Sequence, residues 1–98
     1  MDLISALKLI KSKLDDTIIE SKHFKIKCKE RRLELDKIRE LVKNTEILGI
    51  LEQNNNQYKV WFKFEKNKDL NIIMRITTTE ELKFITIFPS EIERRQRQ

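Results

Sequence analysis

The sequence predicts an α+β domain in which N-terminal helices pack on one face of an antiparallel sheet. Apolar residues recur at helical spacing in the first half of the chain and alternate with polar residues in the second half. The chain has 98 residues, which is the size of one domain. We therefore expect a single domain over residues 1–90, with four strands, or five if residues 17–20 join the sheet. Residues 91–98 are expected to form a basic flexible tail.

Two segments of the first half have a clear helical pattern. Residues 2–14 begin at Asp2, a good N-cap, and carry apolar residues at i, i+4, i+7 and i+11. Residues 34–43 carry a similar stripe, and Asn44 is a candidate stop. Between them, residues 17–20 are β-prone and form a candidate edge strand. The two stripes comprise Leu3, Leu7, Ile10 and Leu14, and then Leu35, Ile38, Leu41 and Val42.

Residues 21–32 carry conflicting local signals. From His23 onward, polar and apolar residues alternate, as they do in a strand. Ser21 is a good N-cap and the segment ends in good helix formers, which favours a helix. The pattern alone leaves both structures open. In either case Cys28, the single cysteine, is expected to be a small core residue, and it excludes an intramolecular disulfide.

The second half of the sequence predicts four strands joined by short polar turns. The predicted strands are residues 46–52, 58–65, 70–76 and 82–88. Gly49 is a candidate bulge, and Pro89 is expected to end the last strand. That last strand is apolar at both alternating sets of positions, which predicts a strand covered on both faces. The core side of the two middle strands is predicted to comprise Tyr58, Val60, Phe62, Phe64, Leu70, Ile72, Met74 and Ile76.

Positive charge is concentrated in residues 21–32. This segment holds six cations and one anion, Glu30, so its net charge of +5 equals that of the whole chain. A localised basic patch favours an anionic partner, and a pI near 9.4 suits a nucleic acid. The six cations are Lys22, Lys25, Lys27, Lys29, Arg31 and Arg32.

The composition excludes several kinds of catalytic centre. One glycine cannot build a P-loop or a dinucleotide-binding turn, and one histidine with one cysteine cannot build a zinc cluster. We therefore expect neither a metal nor another cofactor. No apolar run approaches the roughly 20 residues that span a bilayer, and lysines interrupt residues 2–14, unlike a signal peptide. These features predict a cytoplasmic protein without membrane association.

The composition does allow this chain to cleave RNA without a metal ion. RNA supplies its own nucleophile, the 2′-hydroxyl, so a site needs only a base, cations around the phosphate and an acid. If residues 21–32 are helical, His23, Lys27 and Arg31 follow one another at i, i+4 and i+8 on one side. These three are the candidate catalytic residues. In the alternative, His23 caps or packs and the lysines form a solvated face.

A second candidate set lies in the sheet-forming half. Lys59, Trp61 and Lys63 occupy alternate positions, so they share one sheet face, beside Arg75. An aromatic ring flanked by lysines can stack a base and hold the phosphates of single-stranded RNA. In the alternative, Trp61 packs beneath the N-terminal helix, and the lysines protect an edge strand from aggregation.

Residues 21–31 also resemble a known family motif. The segment SKHFKIKCKER is similar to S-x-H-A-x-x-R-M-x-E-R, which marks a prokaryotic domain family of unknown function grouped with the BrnT and RelE/ParE-like toxins. The similarity continues through Leu33, Ile38 and Val42, and the closing segment FITIFP resembles I-I-T-V-Y-P. The resemblance implies that residues 21–32 are helical and that the fold is RelE/BrnT-like. The relatives are ribonuclease toxins that a small antitoxin neutralises.

The chain departs from this motif at four positions: Phe24, Lys27, Cys28 and Arg32. Lys27 keeps the charge of the family arginine but lacks its bidentate fork. Arg32 stands where the family has glycine. We therefore expect the turn after this helix to lack a residue with positive φ and to break more softly.

Together these features predict a small toxin-like protein of the type II toxin–antitoxin kind that binds or cleaves RNA, with an antitoxin as a partner. The sequence also leaves two rival functions. One is non-catalytic nucleic-acid binding. The other is a protein-interaction module of mobile-element or viral origin, which meets its partner through residues 2–14. The pattern leaves the RNA substrate and the oligomeric state open.

Overall fold

The computed structural model describes residues 2–91, which form three helices and five strands. The α+β class is confirmed, and each predicted helix and strand has a counterpart. The helices are α1 (Leu3–Leu14), α2 (Lys22–Glu30) and α3 (Leu35–Asn44). The strands are β1 (Ile18–Glu20), β2 (Ile47–Asn54), β3 (Gln57–Glu65), β4 (Lys68–Ile76) and β5 (Leu82–Glu91).

The strands form one mixed sheet in the order β1-β5-β4-β3-β2. Strands β2 to β5 form an antiparallel meander, as predicted. β1 lies at the edge, also as predicted, but it runs parallel to β5, with Ile18 opposite Leu82. The prediction of a wholly antiparallel sheet is therefore wrong at this edge. Two helices and three strands separate β1 from β5, and so long a connection does not impose the antiparallel pairing that a hairpin imposes.

All three helices pack on one face of the sheet. Their buried residues form a single cluster with the buried side chains of β3, β4 and β5. The predicted core side of β3 and β4 is confirmed, with Phe64 only partly buried. The helices contribute Ala6, Ile10, Leu14, Phe24, Cys28, Ile38 and Val42. The strands contribute Tyr58, Val60, Phe62, Leu70, Ile72, Met74, Ile76, Leu82, Phe84 and Ile87.

The other face of the sheet carries none of the described helices. Successive residues of a strand point to opposite faces, so this face is built from the positions that alternate with the core. We call it the open sheet face. In the observed register it comprises Gly49, Leu51, Lys59, Trp61, Lys63, Asp69, Asn71, Ile73, Arg75, Lys83, Thr86, Phe88 and Ser90.

β5 differs from its prediction in two ways. The pairing with β4 shifts at Ile85, so the core positions change from even to odd numbers there. This bulge, rather than burial on both faces, explains why both sets of positions are apolar. The strand also continues through Pro89, which lies opposite Leu70, to Glu91. β1 pairs only as far as Phe84, so beyond it the outer side of β5 has no described strand that needs a proline N–H.

The predicted basic tail, residues 91–98, lies outside the described residues except for Glu91. Within residues 2–91, none of the helices is long and apolar enough to cross a membrane.

Candidate nucleic-acid interface

Ser21 fixes the N-terminus of α2 to the sheet. Its Oγ accepts a hydrogen bond from the Phe24 amide at 3.0 Å and donates one to the Ile85 carbonyl at 3.0 Å. The Ser21 amide donates to the Phe84 carbonyl at 3.0 Å, which continues the pairing of β1 with β5. This cap resolves the conflict between the strand and helix patterns, because it starts a helix over Lys22–Glu30.

The buried side of α2 rests on β5. Phe24 and Phe84 have ring centroids 5.2 Å apart and tilted by 58°, an arrangement worth about 1 kcal/mol beyond area burial. Cys28 is 3% exposed, so its prediction as a core residue is confirmed. Burial raises the pKa of the Cys28 thiol to about 11, Glu20 adds to the rise, and Arg39 opposes it.

The C-terminus of α2 is a sharp turn rather than the soft break expected from the sequence. Arg32 itself adopts the left-handed conformation, with φ 57°. The Leu33 amide donates to the Cys28 carbonyl at 2.8 Å, and the Arg32 amide donates to the Lys29 carbonyl at 3.2 Å. These two bonds form a Schellman motif with arginine at the position that favours glycine. The tight turn is kept at a conformational cost of about 1 kcal/mol.

The predicted catalytic residues lie along one side of α2. His23 is exposed, and Lys27 lies one turn later with its side chain 30% exposed. Lys27 Nζ donates to Glu30 Oε2 at 3.1 Å, so a carboxylate that the catalytic prediction did not include joins this set. Arg31 is the exposed C-cap residue one turn beyond Lys27. The helix therefore places His23 one turn before Lys27 on the same side, pairs Lys27 with Glu30, and leaves Arg31 at its end.

A different side of α2 carries three lysines that the motif did not single out. Lys22, Lys25 and Lys29 follow at i, i+3 and i+7 and are exposed. Within residues 2–91, none of these three, nor Arg31 or Arg32, forms an ion pair. We call these five cations the α2 basic surface. For the three lysines, the signal in the sequence was the helical spacing, combined with the lack of an acidic residue three or four positions away.

The predicted RNA-holding residues also lie together, on the open sheet face. Lys59, Trp61 and Lys63 follow one another along β3, and Arg75 lies on the adjacent strand β4. The alternative placement of Trp61 beneath the N-terminal helix is wrong, because the helices cover the other face. The edge-strand role is wrong as well, because β3 pairs with strands on both sides. Trp61 instead lies over Gly49, where the Cβ of any larger residue would overlap the indole ring.

Sequence reasoning missed one cation and one aromatic ring of the open sheet face. Lys83 lies directly across from Arg75, and Phe88 lies across from Asn71. Both belong to β5, where the bulge at Ile85 changes which positions face the core. No local pattern shows that bulge, so their face could not be assigned from alternation.

The sheet separates the two predicted sets. α2 packs on the core face over β5, whereas Lys59, Trp61, Lys63 and Arg75 lie on the opposite face. One bound phosphate cannot contact both sets. The sequence therefore predicted two surfaces, which the fold does not combine into one site.

Metal chemistry has no candidate site in the described part of the chain. Residues 2–91 hold no group of three or more His, Cys, Asp or Glu side chains placed to bind a metal ion.

The fold and these surfaces define a small basic α+β protein with two candidate nucleic-acid interfaces. The chain belongs to the MJ0788 family, an uncharacterised family whose model matches residues 4–74. No curated protein and no solved structure matches it. The match spans α1 to most of β4, so it includes α2 and β3. The relation to BrnT and RelE-like toxins remains a hypothesis.

Proposed function

We propose that the chain binds RNA through the α2 basic surface. The observation that carries this proposal is the set of five exposed cations that form no ion pair within residues 2–91. Cations of this kind bind phosphates and release counterions, which drives association with nucleic acids. Cations already neutralised by carboxylates gain less from such binding.

The arrangement of His23 and Lys27, on the adjoining side of α2, supports RNA cleavage beside this surface. In the reaction, a base takes the proton of the 2′-hydroxyl, and the 2′-oxygen attacks the adjacent phosphorus. The bond from phosphorus to the 5′-oxygen breaks, an acid protonates that oxygen, and a 2′,3′-cyclic phosphate remains. His23 exchanges these protons, while Lys27 and Arg31 stabilise the crowded phosphate. The exposed ion pair of Lys27 with Glu30 is weak enough for a phosphate to replace it.

The resemblance of residues 21–31 to the motif of BrnT-related proteins supports a toxin role. In this proposal the chain is the toxin of a type II toxin–antitoxin pair, and a small antitoxin protein neutralises it by covering α2. An acidic segment of the antitoxin would fit the α2 basic surface by charge complementarity.

The binding proposal is tested by the salt dependence of RNA affinity. The variant carries Lys22→Gln, Lys25→Gln and Lys29→Gln, and fluorescence anisotropy follows a labelled single-stranded RNA. We expect the affinity at low salt to fall by roughly 10- to 100-fold. The slope of log K against log salt should decrease by about 2, because three phosphate contacts are lost.

A charge-matched control separates location from net charge. Lys8→Gln, Lys43→Gln and Lys66→Gln remove three exposed cations from three other parts of the chain. This control should bind RNA within about threefold of the wild type. Equal losses in the two variants would contradict the proposal, since affinity would then follow net charge alone.

The cleavage proposal is tested by induced expression of the wild type and of His23→Ala, with growth and RNA integrity as readouts. The wild type should arrest growth and fragment RNA, and His23→Ala should do neither. A second assay uses an oligonucleotide with a single ribonucleotide, compared with its all-deoxy equivalent, which lacks the nucleophile. Growth arrest by His23→Ala would remove this residue from the mechanism, and cleavage of the all-deoxy strand would exclude the 2′-hydroxyl route.

A further inference from the structure

The open sheet face carries two aromatic side chains in one row across the strands. Trp61 lies opposite Asn71, and Asn71 lies opposite Phe88, so the three side chains share a face and a level. Trp61 and Phe88 stand two strands apart, which is about 10 Å. Between them Asn71 is 4% exposed and donates hydrogen bonds to the Phe88 carbonyl at 3.2 Å and to Ser90 Oγ at 2.8 Å. The row therefore has a buried amide side chain at its centre, between two aromatic rings.

The indole ring of Trp61 lies against Gly49 of the neighbouring strand. Gly49 lies across from Trp61, and the indole occupies the space that a side chain at this position would fill. Lys59 Nζ lies 5.5 Å from the centroid of the indole ring. A partly exposed aromatic ring with a fixed position and an adjacent cation is a common platform for an unpaired base.

The cations of this face lack acidic partners. Arg75 and Lys83 lie directly across from each other, and like charges in such a pair repel. Arg75 donates to Gln57 Oε1 at 3.0 Å, which is a neutral partner. Within residues 2–91 neither cation, nor Lys59, pairs with a carboxylate. A bound anion would relieve this repulsion.

Lys63 is the exception among the predicted residues of this face. It lies across from Asp69, so a carboxylate faces it from the adjacent strand. The concentrated positive charge is therefore at the Lys59, Arg75 and Lys83 side of the aromatic row, and Lys63 is at the other side.

We propose that the open sheet face is a second and separate nucleic-acid surface, which stacks unpaired bases of a single strand on Trp61 and Phe88 while Lys59, Arg75 and Lys83 hold its phosphates. This proposal rests on the proposed function for the class of ligand, a nucleic acid, but it places that ligand at a different surface of the protein. Aromatic side chains on the surface of a sheet bind single strands in this way, whereas the bases of a duplex are not accessible to them.

The single tryptophan of the chain makes this proposal directly measurable. A base that stacks on Trp61 quenches its emission. The probes are an oligouridine RNA of about 12 nucleotides and a duplex RNA of the same length. We expect saturable quenching by the single strand and none by the duplex. The quenching should persist in the variant with Lys22→Gln, Lys25→Gln and Lys29→Gln, because those residues lie on the other side of the sheet.

Two further variants test the named residues. Phe88→Leu keeps an apolar side chain and should weaken the quenching affinity by roughly 10-fold, since one stacking ring is lost. The pair Arg75→Gln with Lys83→Gln should weaken it by a similar factor. The matched control is the triple variant at Lys8, Lys43 and Lys66, which should quench with the affinity of the wild type.

The outcomes separate this proposal from the RNA-binding role of α2. RNA binding by anisotropy without any change in Trp61 emission would overturn the second surface and leave α2 as the binding site. If quenching survived in the variant at Lys22, Lys25 and Lys29, and this variant also bound RNA with the affinity of the wild type, the α2 basic surface would be excluded. The open sheet face would then be the RNA-binding site. A shift in Trp61 emission with protein concentration alone, without quenching by RNA, would assign this face to self-association and overturn the proposal.

Discussion

The α2 basic surface and the open sheet face differ in how the chain assembles them. The cations of α2 come from eleven consecutive positions, 22–32, on one helix and its C-terminal turn. The cations and rings of the open sheet face come from β3, β4 and β5 and meet only through strand register. The first surface therefore depends on the two ends of a short helix, and the second depends on bulges and on one glycine.

This difference predicts that a substitution can weaken RNA binding at one surface without affecting the other. Ser21 and Arg32 fix the ends of α2, and neither side chain lies on the open sheet face. Gly49 supports Trp61 and lies in β2, away from α2. Substitutions at these positions should therefore change the stability of the fold while altering RNA binding at only one of the two surfaces.

The largest expected effect comes from Ser21→Ala. The substitution removes the acceptor for the Phe24 amide and the donor to the Ile85 carbonyl, both in a partly buried setting. The free energy of unfolding should fall by about 2 kcal/mol in urea denaturation. RNA affinity at α2 should fall as its first turn frays, and quenching of Trp61 should be unchanged.

Ser12→Ala is the matched control. The Ser12 hydroxyl is exposed and donates only to the Leu9 carbonyl within α1. Its loss should change the free energy of unfolding by less than about 0.5 kcal/mol. Equal losses in the two variants would show that the cap does not anchor α2.

The next effect belongs to the open sheet face. In Gly49→Ala the new Cβ would overlap Cζ2 of Trp61, so the indole must move away from β2. The free energy of unfolding should fall by about 1–2 kcal/mol, and the emission of Trp61 should shift to the red as the ring becomes more exposed. In a Trp61→Val background the same substitution should cost less than about 0.5 kcal/mol. Equal costs in the two backgrounds would place the loss in the β2 backbone instead.

The sequence alone predicted most of the fold, because amphipathic spacing reports which side of an element is buried. It identified α1, α3 and the meander, and the motif around Ser21 identified α2. It failed for the direction of β1 and for the end of β5, since neither depends on periodicity. The parallel pairing of Ile18 with Leu82 joins residues far apart in the chain, and the tolerance of Pro89 depends on where β1 ends.

The two candidate surfaces were predictable to different degrees for the same reason. Charge counting located α2 and its six cations, including Lys22, Lys25 and Lys29. On the sheet, alternation correctly placed Trp61 with its two lysine neighbours. Lys83 and Phe88 could not be placed, because their face depends on the bulge in β5. Local spacing is sufficient for a helix surface, whereas a sheet surface also requires the register of its neighbours.

A smaller effect is a pH dependence of the free energy of unfolding, which arises from Cys28 on the buried side of α2. Burial raises the pKa of Cys28 from its ordinary value of 9.0 to about 11, so the unfolded chain loses this proton at lower pH than the folded chain. The stability that depends on the neutral thiol is complete below pH 9 and is lost as the pH rises towards 11. Urea titrations should show the advantage of the wild type over Cys28→Ala shrinking by about 1 kcal/mol by roughly pH 10. Parallel curves for the two proteins would contradict this assignment.

The smallest effect separates the two roles of Arg32, which forms the turn after α2 and is a cation of the α2 basic surface. Arg32→Gly relieves the left-handed strain at φ 57° and should raise the free energy of unfolding by roughly 0.5–1 kcal/mol. It also removes one cation of the α2 basic surface, so the slope of log K against log salt for RNA binding should decrease by about 0.7. Arg32→Ala removes the same charge but keeps a Cβ at the strained position, so it should share the change in slope without the gain in stability. If Arg32→Gly bound RNA with the affinity and the salt dependence of the wild type, Arg32 would make no phosphate contact, and the α2 basic surface would end at Arg31.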